Sequence, residues 1–94
     1  MDTLLRFEEF EAAERSVGCS EVLARSWEPN VEIAEHSHPF RARALVVQGE
    51  MWLIVDGESR HLGPGDRFDL PPGKLHAERY GPQGAVYWVA RTNP

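Results

Sequence analysis

Apolar and polar positions follow two different periods along this chain, and the change falls at Gly18. From Leu4 to Ser16 the residues Phe7, Phe10, Ala13 and Val17 recur at steps of three or four, which predicts an amphipathic helix with one apolar stripe. Glu8, Glu9, Glu11 and Glu14 fall on the other face, which is expected to be solvated. Asp2 or Thr3 suits the start of the helix, and Gly18 suits the left-handed residue that ends one.

Beyond Gly18 the spacing becomes that of strands. The pattern predicts strands over Glu21 to Trp27, Val31 to His38, Arg41 to Gln48, Met51 to Val55, Ser59 to Leu62, Arg67 to Leu70, Leu75 to Tyr80 and Ala85 to Arg91. Turn residues stand between them: Glu28-Pro29-Asn30, a turn or bulge at Gly49-Glu50, Gly63 to Asp66, Pro71-Pro72-Gly73, and a last turn at Gly81 to Gly84. Asp56-Gly57 is a strong signal for a two-residue hairpin turn, whose central residues both need positive φ. Short strands at this spacing indicate an all-β sandwich or barrel with one appended helix. The helix is expected to pack on the outside of a sheet or on a partner subunit.

Size and charge narrow the picture. The 94 residues predict a single domain, 1–94, with a helical segment over 1–18 and a β-barrel over 19–91. A core this small leaves room for a dimer interface, so a homodimer is expected. The net charge is −5 and no basic cluster exceeds Arg41 and Arg43, which argues against a nucleic-acid partner. No apolar run is long enough to cross a bilayer and no basic-then-apolar leader is present, so no membrane is expected and the cytoplasm is the default location. Cys19 stands alone, which rules out an internal disulfide and any cysteine-based zinc motif.

Candidate chemistry sits at His36-Ser37-His38. Residues two apart on a strand point the same way, so His36 and His38 are expected to project together, with Ala34, away from Val31, Ile33 and Glu35. Two imidazoles on one face make half a metal site. His76 is a third imidazole in a later strand, whereas His61 reads as a surface residue.

The segment from Gly65 to His76 has glycine, five residues, proline, any residue, glycine, two residues and histidine. It resembles the second motif of the cupins, and His36-Ser37-His38 followed by Gly49 resembles the first. The resemblance implies a double-stranded β-helix, or jelly roll, and a metal site formed by His36, His38 and His76. It also implies a divalent transition metal: Fe, Ni, Zn or Mn. Three features depart from the pattern. Ala42 stands where the family places a glutamate ligand, and Asn30 stands where it places a first glycine. Tyr80 takes the place four residues after the third histidine where the family often has asparagine.

Strand alternation makes Glu78, two residues after His76, a candidate for the missing carboxylate. Gln48 shares a face with Ala42 by the same count and is a candidate polar group in the cavity, although either residue serves equally as a solvated rim. Leu45 and Val47 are expected to point away from the histidines. Two functions follow from the resemblance. One is a metal-dependent oxidoreductase, dioxygenase-like, acting on a small molecule; the other is a non-catalytic small-ligand binding or sensing module with a degenerate metal site.

Overall fold

The computed structural model describes residues 6–93. It contains one helix, α1 (Phe7–Ser16), and six strands: β1 (Glu21–Trp27), β2 (Glu32–His36), β3 (Arg41–Val55), β4 (Glu58–Leu62), β5 (Arg67–Leu70) and β6 (His76–Thr92). All pairings are antiparallel. The two long strands, β3 and β6, pair with each other along most of their length and each serves two neighbours. The first half of β3 carries β5 and its second half carries β4. The last part of β6 carries β1, and its first part carries β2. Two four-stranded faces result, β1-β6-β3-β5 and β2-β6-β3-β4, closed over a shared interior as a double-stranded β-helix.

The eight expected strands are therefore six, because two of the expected breaks are corners in continuous strands. At Gly49 the register of β3 on β6 shifts, and Gly81 to Gly84 lie opposite the single residue Glu50. The chain bends there without reversing, as a bulge allows. Gly49 has φ +76°, and a Cβ on it would lie 2.1 Å from the carbonyl oxygen of Gly84. Only glycine permits so close a backbone approach. The Asp56-Gly57 hairpin has φ +54° and +79°, as its turn type requires. Asn30 also takes a left-handed conformation, φ 62°, so asparagine does here what a glycine would do with less strain.

Ala42, Ala44, Val46, Met51, Leu53, Phe68, Tyr87 and Val89 face the interior between the two faces. The alternate residues Leu45, Val47, Trp88 and Ala90 face outward and meet Phe10 of α1. The helix thus packs on the outer face of the first sheet, with Phe7 and Phe10 against the Trp88 ring. Its buried stripe differs from the expected one. Glu14 is only 5% exposed while Ala13 and Val17 are exposed. Glu14 is one turn from Phe10 and so shares its face, where its carboxylate lies 3.5 Å from the Arg43 guanidinium. Val17 lies past the helix end. The amides of Gly18 (φ +97°) and Cys19 bond back to the carbonyls of Arg15 and Glu14, a Schellman closure. The expected start at Leu4 and the caps at Asp2 or Thr3 lie outside the described residues; Arg6 is the N-cap, and Glu9 accepts its backbone N–H at 2.8 Å.

Candidate metal centre

His36 ends β2 and His76 begins β6, directly opposite each other in the ladder. His38 lies just past the end of β2 rather than within it. It is held by the proline-glycine turn of the second motif, where Gly73 (φ +78°) donates its N–H to the His38 carbonyl at 2.9 Å. Alternation alone does not describe this strand. A register shift between Ile33 and His36 brings Ile33 to the same cavity as the histidines, against the expected separation of the two sets.

The three imidazoles converge. One ring nitrogen from each of His36, His38 and His76 lies within 4.8 Å of the others. Each Nδ1 is tied back to a backbone carbonyl two residues away: His36 to Ala34 at 2.8 Å, His38 to Phe40 at 3.2 Å and His76 to Lys74 at 3.0 Å. A neutral imidazole that donates from Nδ1 carries its proton there and keeps its lone pair on Nε2. The backbone thus sets the tautomer that metal ligation through Nε2 needs. Burial holds the His38 imidazole below its ordinary pKa, against the Phe40 carbonyl bond, which acts the other way; His76, His36 and Arg91 lower it further. That favours the neutral form, which ligates.

Glu78 joins them. It is 7% exposed, and its Oε2 lies 3.5 Å from His76 Nε2 and 3.7 Å from His36 Nε2. With metal–ligand bonds of about 2.0–2.1 Å, donors sharing one ion stand roughly 3–3.5 Å apart, so Glu78 lies close to ligating distance. Its other oxygen accepts the hydroxyl hydrogen of Tyr80. Burial raises the pKa of Tyr80, with the charges of Tyr87 and Glu78 adding to it, so the phenol keeps its proton and remains a donor. Tyr80 itself does not line the cavity. It stacks on Trp27, with ring centroids 5.0 Å apart, and acts on the site through Glu78.

The cavity beside the histidines has a volume of about 110 Å³. Ala42, Phe68, Leu70 and Val89 form its apolar wall, with Tyr87 among them. Burial raises the Tyr87 pKa, and the nearby Glu78 carboxylate adds to the effect. Ala42 therefore lines the cavity beside the histidines. Gln48 does not: it is exposed and absent from the lining. The shift in register between Val46 and Gln48 turns it outward after Ala42, Ala44 and Val46 have pointed in. His61 is exposed on β4 beside Trp52, as expected. Sequence reasoning missed Arg25 and Arg91, both of which line the cavity. Each lies one or two strands from the histidine motifs, and no local spacing connects them.

A family model described as a cupin domain matches residues 25–89, and the chain belongs to that family. No curated protein matches it. Among solved structures it is similar to an uncharacterized conserved protein with a double-stranded β-helix domain from Klebsiella pneumoniae, at 28% identity and TM-score 0.66, covering 76% of this chain and 64% of that one. The chain thus spans less than two thirds of that protein's length. It is also similar to an RmlC-like cupin from Shewanella frigidimarina, at 28% identity and TM-score 0.63, covering 79% of this chain and 68% of that one. KdgF from Halomonas sp. shares the fold at 24% identity and TM-score 0.66, covering 78% of this chain and 68% of that one. The site therefore sits in a cupin barrel with three histidines positioned to bind a metal ion. Among the described residues, no helix is long and apolar enough to cross a membrane.

Proposed function

We infer that this cupin domain is a metal-dependent small-molecule protein in which His36, His38 and His76 hold a divalent transition metal. Glu78 supplies the carboxylate that Ala42 lacks. The observation that carries this reading is the common tether of the three imidazoles: each Nδ1 bonds a backbone carbonyl, which leaves each Nε2 lone pair free to ligate, and one ring nitrogen of each histidine lies within 4.8 Å of the others. Lone pairs brought together repel unless a cation is shared among them, so the donor set fits a metal. Bound there, the metal supplies Lewis acidity, and with iron redox chemistry, to a molecule in the cavity.

The chain's own residues set what enters. The apolar wall excludes bulk water from one side, and Tyr80 keeps Glu78 turned toward His36 and His76. A dioxygenase-like oxidoreductase is the finer form of this reading, and a binding or sensing module is the other. Metal content after reconstitution tests the centre. Close to one equivalent is expected in the wild type, with loss in a His36→Ala, His38→Ala double variant. Less than about a tenth of an equivalent of any transition metal would overturn it. Oxygen uptake by the loaded protein against a panel of thiols and diketones separates the two forms: turnover supports the oxidoreductase, and a flat response supports the binding module.

A further inference from the structure

Ala42 on β3 lies directly opposite Arg91 on β6 in the ladder, and both line the cavity that holds the histidines. Alanine presents only a methyl group, so Arg91 faces space across the strand pair where a longer residue would give it a partner. The Arg91 guanidinium is incompletely satisfied. Its Nη1 reaches Glu21 at 3.3 Å, but its buried Nε has no hydrogen-bond partner among the described residues. The group lies over the Phe40 ring at 4.7 Å, a stacking that holds it in place and leaves its edge available for hydrogen bonding. Arg25 lines the same cavity over the Trp27 ring at 4.8 Å and makes no ion pair or hydrogen bond among the described residues.

Among the described residues Glu78 is the one acidic side chain in the lining, and it is already committed to Tyr80, His36 and His76. Two cations therefore border a cavity with no free anion of its own. A guanidinium with an open edge matches a carboxylate better than any neutral group, because both oxygens can accept from the same fork.

We propose that the cavity binds a small carboxylate, with Arg91 holding the carboxylate group in the space beside Ala42. A cavity of about 110 Å³ limits the ligand to a small acid. The inference rests on the metal-centre reading for a second contact, from the acid's neighbouring oxygen to the metal. The contact with Arg91 does not depend on metal.

Calorimetric titration with pyruvate, and with the isosteric neutral pyruvamide, tests it on zinc-loaded and metal-free protein. Pyruvate is expected to bind saturably, at least tenfold more tightly than pyruvamide. Arg91→Met should weaken pyruvate at least tenfold, and Arg91→Lys should weaken it less. In the metal-free protein, where a carboxylate at position 42 has no ion to ligate, Ala42→Glu places it opposite Arg91 and should abolish pyruvate binding with the far-ultraviolet circular dichroism unchanged, which decides the matter if Arg91→Met does not fold. Equal binding of pyruvamide, no saturable pyruvate binding, or unaltered binding by both variants overturns the proposal. Zinc content is measured on every sample. Protein that takes up no zinc but binds pyruvate through Arg91 sinks the metal centre and supports the carboxylate site; protein that loads zinc but ignores pyruvate does the reverse.

Discussion

The carbonyl of His38 accepts a hydrogen bond from the N–H of Gly73 at 2.9 Å, which ties the two histidine-bearing segments together across the mouth of the barrel. His38 lies outside any strand, so this bond and its Nδ1 contact to Phe40 position it in place of ladder pairing. Gly73 makes the bond from φ +78°, and an added Cβ there would meet nothing within 4 Å. Gly73→Ala should therefore act through backbone strain alone, costing on the order of 1 kcal/mol of stability. Metal affinity should fall severalfold as the turn releases His38. Chelator competition beside a denaturant melt separates the two effects, and an unchanged affinity would show that the bond does not position His38.

Tyr80→Phe removes the one hydrogen-bond donor the described residues offer to the buried oxygen of Glu78. Leaving a buried acceptor unpaired costs about 1–3 kcal/mol, more for a charged one. Groups that orient a ligand typically contribute 10–100-fold to metal affinity. The variant should thus lose stability without metal and bind metal at least tenfold more weakly. Affinity equal to wild type would mean that Glu78 does not ligate.

Gly49→Ala should be among the most damaging single changes in the chain. The new Cβ would lie 2.1 Å from the Gly84 oxygen and 2.9 Å from the Ala85 Cα, both backbone atoms of the opposing strand. The φ of +76° adds strain of its own. A loss of about 3 kcal/mol or more is expected, or failure to fold, read as a drop in urea midpoint. A loss under about 1 kcal/mol would show that the corner is looser than its geometry.

Asp69 on β5 accepts two bonds from the Arg41 guanidinium on β3, at 2.9 and 2.7 Å. That hydrogen bonding, with the charges of Arg41 and Arg43 adding to it, outweighs partial burial and holds the Asp69 carboxyl below its ordinary pKa. A carboxyl with a lowered folded pKa stabilises the fold above its unfolded pKa, near 4, and loses that contribution as pH falls through the folded value. Both side chains are close to half exposed, so solvent screens the pair and its contribution to stability is small. Asp69→Asn should lower the melting temperature slightly at pH 7 and produce a smaller deficit at an acidic pH below about 4. An equal deficit at both pH values would assign the effect to packing instead of charge.

Much of the barrel was legible in the sequence because its signals are local. The Asp56-Gly57 turn, the glycine that ends α1 and the spacing of the second motif each depend on a few neighbouring residues, and each stands where expected. The same holds for Leu45 and Val47, which alternate outward from Ala42, Ala44 and Val46. Alternation fails where the ladder slips. Gln48 follows a register shift and faces solvent, and Ile33 precedes one and faces the cavity with His36. A bulge depends on how two distant strands fit together, so nothing in the strand's own spacing marks where the phase changes.

By itself, then, the sequence determined the all-β class, the cupin resemblance and the three histidines, because those follow from short-range spacing and residue type. Glu78 was one of two polar candidates; the registers of β2 and β3 on β6 bring Glu78 to the cavity and turn Gln48 to solvent. Tertiary structure alone placed Arg91 opposite Ala42 and brought Arg25 to the same cavity from β1. Those relations are set by pairing between strands tens of residues apart, where backbone hydrogen bonding is indifferent to side chains and only the closure of the whole barrel selects the register.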